Sequence, residues 1–382
     1  MNEIKVCACR PPLLDSVKAD YLEMVRDILD SGRLTGGEYK RKAERKLAEI
    51  HEKKYCLLVS SATGAMDLIL AYYARIHGKR KAYLQALGFS SVYGMLKRNG
   101  YSVVPVDIEA GFPFMSPKDL GSVVKEDDYD ALIVPTAHFG CVYYDLEGEI
   151  EAMFDLPMVI DAAPCAGVMT SKSDFVVSFH ASKIIGCGEG GALLTDDKEL
   201  YEWCRYAAGC GAIGRRHHLP PFKYSIGELD CAMIYAQLRH LGEIIGLKEM
   251  VFEWYKDAIY SYGLDGYVEL FDTHLPTNYV YVVVLVSSEI RDKLRLMLHE
   301  DYGVEMWGTP AQLLVDQPIW EDEVRDVPNS RRFSESHLLL PTHVFMNRED
   351  VRYVVKSLKA CFERLGVEKY KGSDRELWRE WR

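Results

Sequence analysis

Lys183 lies in the stretch SFHASKIIGCGEGGALLT, Ser178 to Thr195, between an apolar run and a glycine cluster. Gly186, Gly188 and Gly191 fall in the order G-x-G-x-x-G, which read alone is a dinucleotide fingerprint. That fingerprint works by leading a strand into a helix whose N-terminus receives a pyrophosphate. Here the glycines lead into ALLT, a strand pattern, and no acidic residue ends a second strand about 20 residues on. No G-K-[ST] follows either, so the segment is not a Walker-type phosphate loop. The lysine is the better candidate for chemistry. An amine held near apolar walls and other cations loses its proton more readily, and a neutral amine can form a Schiff base with a carbonyl. The plainer reading is a solvated lysine in a loop.

Three other stretches bear on that choice. Asp161 ends the apolar run LPMVI and begins DAAPCAG. A carboxylate at the C-terminal end of a buried parallel strand stands where ligand sites of α/β sheets form. It is also what a pyridoxal ring needs against its nitrogen, to stay protonated as an electron sink; an N-cap for a short turn is the alternative. In VSSATGAMDLIL, Ser60, Ser61, Ala62, Thr63 and Gly64 stand between a strand and a helix. Free amides there suit a phosphate, and simple capping is the alternative. Phe89, in QALGFSSVYG, follows a strand end and is read either as a ring stacked on a flat ligand or as a core residue.

These residues need a scaffold of alternating elements. VKADYLEMVRDILDSG and GGEYKRKAERKLAEIHEKK have helical spacing, and YCLLV reads as a short buried strand. GAMDLILAYYARIHG and SSVYGMLKRNG are helical, with KAYLQA and SVVPVDI as strands around the second. ALIVPTA, PMVID and FVVSFH are continuous apolar strands, which implies a parallel or mixed sheet covered on both faces. The run ELDCAMIYAQLRHLGEIIGLKEMVFEWYKDAIYSYG predicts one long helix bridging two parts of the chain. Beyond it, strands in NYVYVVVLVS and VEMWG and helices in SEIRDKLRLMLHEDYG and REDVRYVVKSLKACFERLG predict an α+β domain. The boundary is set at residues 1–245 and 246–382. The charged tail KYKGSDRELWREWR reads as a solvated terminal helix.

The chain has 382 residues and a formal net charge of −11. That charge argues against a general binder of nucleic acid or anionic membrane, which needs clustered Lys and Arg. The 10 Cys include no C-x-x-C, which disfavours a zinc ribbon. Scattered thiols and an N-terminus without signal-peptide form predict a cytoplasmic protein.

Taken together, these segments resemble the DegT/DnrJ/EryC1/StrS sugar aminotransferases of the fold-type I pyridoxal-phosphate superfamily, in family order over nearly the whole chain. SGRLTGGEYKRKAERKLAEIHEKKYCLLVSSATGAMDLIL resembles the N-terminal signature with its S-[GA]-T phosphate cup. VIDAAPCAG resembles the E-D-A-A-[QH] segment, and SFHASKIIGCGEGGALLT the S-F-x-x-x-K-x-x-x-x-G-E-G-G segment. IGELDCAMIYAQLRHL resembles the M-S-E-L-Q-A-A-x-x-x-A-Q-L helix. The resemblance implies a large α/β domain with a mostly parallel seven-stranded sheet and a smaller α+β C-terminal domain. It implies pyridoxal 5'-phosphate as cofactor, with Lys183 as the Schiff-base lysine and proton shuttle, Asp161 on the pyridinium nitrogen and Phe89 stacked on the ring. Ala62, Thr63 and Ser178 would hold the phosphate. It further implies glutamate as amino donor, a nucleotide-linked ketosugar as acceptor, and a homodimer with shared sites. Members with dehydratase chemistry carry His in place of the lysine, so Lys183 favours transamination.

The chain departs from the family in three places. Pro164 stands where the family usually has Gln or His touching the cofactor hydroxyl. Lys223 stands where an Asn from the neighbouring subunit would reach the phosphate, and the Arg that follows it in the family is absent from PPFKYSIGELD. In the loop GCGAIGRRHHLPP, Arg215 and Arg216 are candidates for a sugar's phosphates, and His217 and His218 a weak candidate metal pair. His180 is a further candidate substrate contact. No metal is expected. The alternatives are a non-nucleotide ketosugar, a cyclitol ketone or a small keto acid as substrate, or a regulator that binds the cofactor without turnover.

Overall fold

The computed structural model describes residues 4–140, 144–209, 212–213, 216–217, 222–270, 282–306 and 311–367. Its larger part is built on strands β1 (Tyr55–Val59), β2 (Lys81–Gln85), β3 (Ser102–Val106), β4 (Ala131–Val134), β5 (Val159–Asp161), β6 (Asp174–Ser178) and β7 (Gly191–Thr195). β3, β2 and β4 form a parallel ladder. β5 and β6 are parallel, and β7 runs antiparallel to both β6 and β1. Backbone bonds from Ile133 to Pro157, Asp161 to Pro135 and Ala137 to Asp161, each 2.9 Å, join β4 to β5. Asp161 thus sits at the end of a strand whose backbone is tied on both sides.

The helices are α1 (Asp15–Ser31), α2 (Glu38–Ile50), α3 (Ala62–Ile76), α4 (Ser90–Arg98), α5 (Pro117–Val123), α6 (Tyr144–Met153), α7 (Lys198–Ala208), α8 (Glu228–Arg239), α9 (Leu241–Ser261), α10 (Ser288–Tyr302), α11 (Pro328–Ser336) and α12 (Arg348–Leu365). They cover both faces of the strands, so the strands read as unbroken apolar runs. Alternate residues of β1 enter different cores. Cys56 and Leu58 join Met24, Leu47 and Cys231 of α1, α2 and α8, whereas Leu57 and Val59 join Leu68, Leu96 and Cys204 of α3, α4 and α7. The period of two along an extended chain imposes this division.

The C-terminal part pairs β8 (Glu269–Leu270), β9 (Val282–Leu285) and β10 (His337–Leu340) in an antiparallel sheet, against which α10 packs, with α9 and α12 against each other. One expectation needs correction. The single long helix is two, because His240 leaves the helix at φ −110° and ψ 19°, and its Nε2 lies 2.8 Å from Asp20 Oδ2. α8 packs on α1 and α2 whereas α9 packs on α12, and one straight helix could not serve both. Of the strand expected in VEMWG, the described residues 304–306 show a bridge from Val304 to Val6, with Lys5 N and Val6 N donating to Gly303 O and Glu305 N to Val6 O, and residues 307 and 308 lie outside the described residues. The tail from residue 368 lies outside the described residues.

Candidate active site

A cleft of about 710 Å³ opens at the C-terminal ends of β4, β5 and β6, and its walls include Ala62, Thr63, Phe89, Asp161, Ser178, His180 and Lys183. Residues drawn from distant parts of the sequence as candidates therefore face one space.

Lys183 is carried on the connection from β6 to β7. That connection is closed by backbone bonds: Phe179 N to Gly190 O at 2.9 Å, Ala181 N to Gly188 O at 3.0 Å and Lys183 N to His180 O at 2.8 Å. Gly188 has φ 109°, which a side chain would strain. The loop is fixed from outside by Gln237 of α8, fully buried. Its Oε1 accepts from Gly186 N, and its Nε2 donates to Gly186 O, both at 2.9 Å. A two-way amide clamp on the two peptide groups flanking Gly186 holds the lysine's loop against the sheet. The Gln lies in the family-like helix motif, but its partner was not legible there.

The N-terminus of α3 forms one end of the cleft. Ser61 is its N-cap, with Oγ accepting from Gly64 N at 3.0 Å. Among the described residues, neither the Ala62 nor the Thr63 amide has a partner. Capping and anion binding are thus both right, for different residues: Ser61 caps, and the next two amides face the cleft. Gly191 opens β7 beside them, and a Cβ there would overlap Ala62 N and the Ser61 carbonyl carbon. That close approach is what the last glycine of the cluster serves. Ser178 is buried, and its Oγ accepts from His180 N at 3.2 Å, leaving its proton for another acceptor.

Asp161 is 5% exposed, and its Oδ1 accepts from Ala163 N at 3.1 Å. Burial pushes its carboxyl above the ordinary range, opposed by that amide bond and by the charge of Lys183. A buried carboxylate facing a cleft needs a proton or a cation, and a protonated ring nitrogen answers that need. Phe89 is half exposed at the cleft, so it is not a core residue. Pro164 also lines the cleft. The set fits a flat ring with a basic nitrogen and a phosphate group.

Other residues lie on the walls without having been singled out. Thr136, His138 and Phe139 come from the segment after β4. Phe139 has φ 59°, a conformation uncommon for a non-glycine residue. His138 Nε2 lies 3.0 Å from Leu87 O, and burial lowers its pKa to about 4. Gln312 arrives because Gln312–Leu313 pairs with Leu87–Gly88. Arg295 of α10 also lines the cleft and has no partner among the described residues. A helix-surface Arg has no local signal that separates it from a solvated one.

Some candidates stand elsewhere. Lys223 is exposed and absent from this cleft's walls, and its Nζ lies 3.5 Å from Ser225 Oγ. Its neighbour Tyr224 donates to Asp67 Oδ2 at 2.7 Å, and its ring lies against Gly64 in the first turn of α3. Arg215 and His218 lie outside the described residues, and of Arg216 and His217 only the backbone, paired with Ala212–Ile213, is described.

A model of the DegT/DnrJ/EryC1/StrS aminotransferase family matches residues 15–359. The UDP-4-amino-4,6-dideoxy-N-acetyl-beta-L-altrosamine transaminase of Campylobacter jejuni is 23% identical over 348 residues, 87% of this chain and 92% of that protein. Helicobacter pylori PseC, an aminotransferase involved in the biosynthesis of pseudoaminic acid, superposes with a TM-score of 0.83 at 20% identity, covering 95% of this chain and all of that one. NtdA of Bacillus subtilis with bound cofactor PMP gives 0.79 at 19% identity, covering 95% and 87%.

Proposed function

The chain belongs to the DegT/DnrJ/EryC1/StrS aminotransferase family and is a pyridoxal-phosphate-dependent aminotransferase, and from that premise we propose that it moves an amino group from L-glutamate to the keto group of a nucleotide-linked deoxysugar. The observation that carries this reading is one cleft holding Lys183, Asp161 and the open amides of α3. In this reading Ala62, Thr63 and Ser178 hold the cofactor's phosphate, Asp161 keeps its ring nitrogen protonated, and Phe89 covers a ring face. When bound, the cofactor draws electron density from the carbon that gains or loses the amine. Lys183 Nζ takes the proton from that carbon in one half-reaction and returns it in the other. The Gln237 clamp keeps Nζ within reach of both positions. Arg295 and His180, at the cleft, contact the anionic groups of the substrates.

Supporting the nucleotide-linked acceptor is the name of the Campylobacter relative, whose substrate carries UDP. We place Lys223, Arg215 and Arg216 at the site of a second copy in a homodimer. Lys223 is exposed and stands apart from its own cleft, which supports that placement. The proposed domains are residues 1–245 and 246–382. We also propose a cytoplasmic setting: the described cysteines are free thiols, and among the described residues no helix is long and apolar enough to cross a membrane.

Purified protein given pyridoxal phosphate is expected to bind it, to release 2-oxoglutarate from glutamate, and to aminate a nucleotide ketosugar followed by mass spectrometry. Lys183→Ala is expected to lower the rate of 2-oxoglutarate release by about 10²–10⁴-fold or more. Wild-type rates in that variant would sink the role of Lys183. Turnover confined to small keto acids would sink the sugar reading.

A further inference from the structure

Thr136 is 3% exposed and lines the cleft, and its Oγ1 has no hydrogen-bond partner among the described residues. A buried hydroxyl without a partner costs free energy, and where it borders a binding site a ligand supplies the partner. The backbone of Thr136 is already engaged, its amide donating to Gln85 Oε1 at 3.2 Å. Its place in the sheet fixes where the side chain stands. Thr136 pairs with Asp161 in parallel register. Residues paired across neighbouring strands project to the same face, about 4.8 Å apart. The Thr136 and Asp161 side chains therefore project to one face of the sheet, with Thr136 Oγ1 on the side of Gly88, just before Phe89.

A pyridoxal ring held at its nitrogen by Asp161 carries a phenolic oxygen two ring atoms along the same edge. Pro164, three residues beyond Asp161, has no side-chain donor to offer that oxygen. His138 is no substitute. With Nε2–H on Leu87 O its other ring nitrogen is an acceptor while the ring is neutral. Resting on the cofactor reading above, we propose that Thr136 Oγ1 donates a hydrogen bond to the phenolic oxygen of the bound pyridoxal phosphate, supplying the contact that Pro164 cannot make. Thr136 is then a cofactor-tuning residue of this chain. A donor to that oxygen holds its negative charge and weakens its grip on the proton it shares with the Lys183 nitrogen, so the proton leaves at a lower pH.

The test is the pH titration of the visible absorption band of the holoprotein, with the rate of cofactor release on dialysis as a second readout. Thr136→Val removes the hydroxyl and keeps the shape, Thr136→Ala removes it with less bulk, and Thr136→Ser keeps it. The Val and Ala variants are expected to titrate about one pH unit higher than wild type and to release cofactor faster. The Ser variant is expected to follow wild type, and Pro164→Gln added to Thr136→Val to bring the midpoint back down. Asp161, His138, His180, Glu189, Lys183 and Arg295 also face the cleft and are common to all variants, so the differences report on position 136. Val and Ala variants on the wild-type curve, or a Ser variant shifted with them, overturn the proposal while the cofactor reading stands. Wild-type protein that takes up no pyridoxal phosphate overturns both.

Discussion

Two helices of this protein begin within a few residues of a bend, and their N-termini are treated in opposite ways. At α2, buried Glu228 fills the end: its carboxylate accepts from Gly37 N at 2.9 Å, Tyr39 N at 2.5 Å and Lys40 N at 3.2 Å. At α3, the one capping side chain serves Gly64 alone, and the amides of Ala62 and Thr63 are left facing the cleft. Both ends carry the same partial positive charge. One is neutralised from within the fold, so it is structural. The other is open beside Lys183, so it is the one that can take an anion. α2 is anchored at its far end too, where the ring of its C-cap His51 has Nδ1 2.5 Å from Met169 O and Nε2 accepting from Gly167 N at 3.0 Å.

That contrast can be broken experimentally. Glu228→Ala leaves three amides, two of them buried, without an acceptor and is expected to cost about 3 kcal/mol or more, read as a lower melting temperature. Folded Glu228→Ala protein should keep wild-type affinity for pyridoxal phosphate. An affinity that falls with the stability would erase the distinction between the two ends.

Acid tests the closed helix in a second way. Burial lowers the His51 pKa to about 4, below its ordinary 6.5. The neutral ring is the bonded form, so its contribution is complete above about pH 6.5 and is lost as the pH falls toward 4. The full loss is on the order of 3 kcal/mol. Melting temperatures measured from pH 7.5 down to 5 should fall more steeply in wild type than in His51→Gln. The difference isolates His51 from the other buried histidines, and equal slopes would refute its part.

The smallest expected effect falls on the open helix. Gly191→Ala places a carbon against Ala62 N and pushes β7 from α3, at about 1–3 kcal/mol. Pyridoxal-phosphate affinity should drop about 10–100-fold, and inorganic phosphate should cease to raise the melting temperature of the cofactor-free protein. Retained phosphate stabilisation would mean that the anion binds elsewhere.

Much of this site is legible in the sequence. Lys183, Asp161, Phe89, Ala62, Thr63 and Ser178 lie at the junctions of apolar runs with small or glycine-rich segments, which is where backbone groups become free, and these six do share one cleft. The dinucleotide reading of the glycines failed on local grounds alone, because a strand follows them. The break at His240 was not legible, since the apolar spacing runs on through it and only the change of packing partner from α1 and α2 to α12 divides the helix.

The sequence by itself determined the local chemistry and the family, because both depend on residue types at short spacing. Only the tertiary structure decided which groups are free. Glu228 closes α2 from 191 residues away, Gln237 holds the lysine loop from another helix, and Arg295 and Gln312 reach the cleft from the C-terminal part. Among the described residues Thr136 has an unpaired hydroxyl, because its neighbours in space, not those in sequence, offer it nothing. Whether a polar group is satisfied is a property of its surroundings in three dimensions, and that property separates the site from its support.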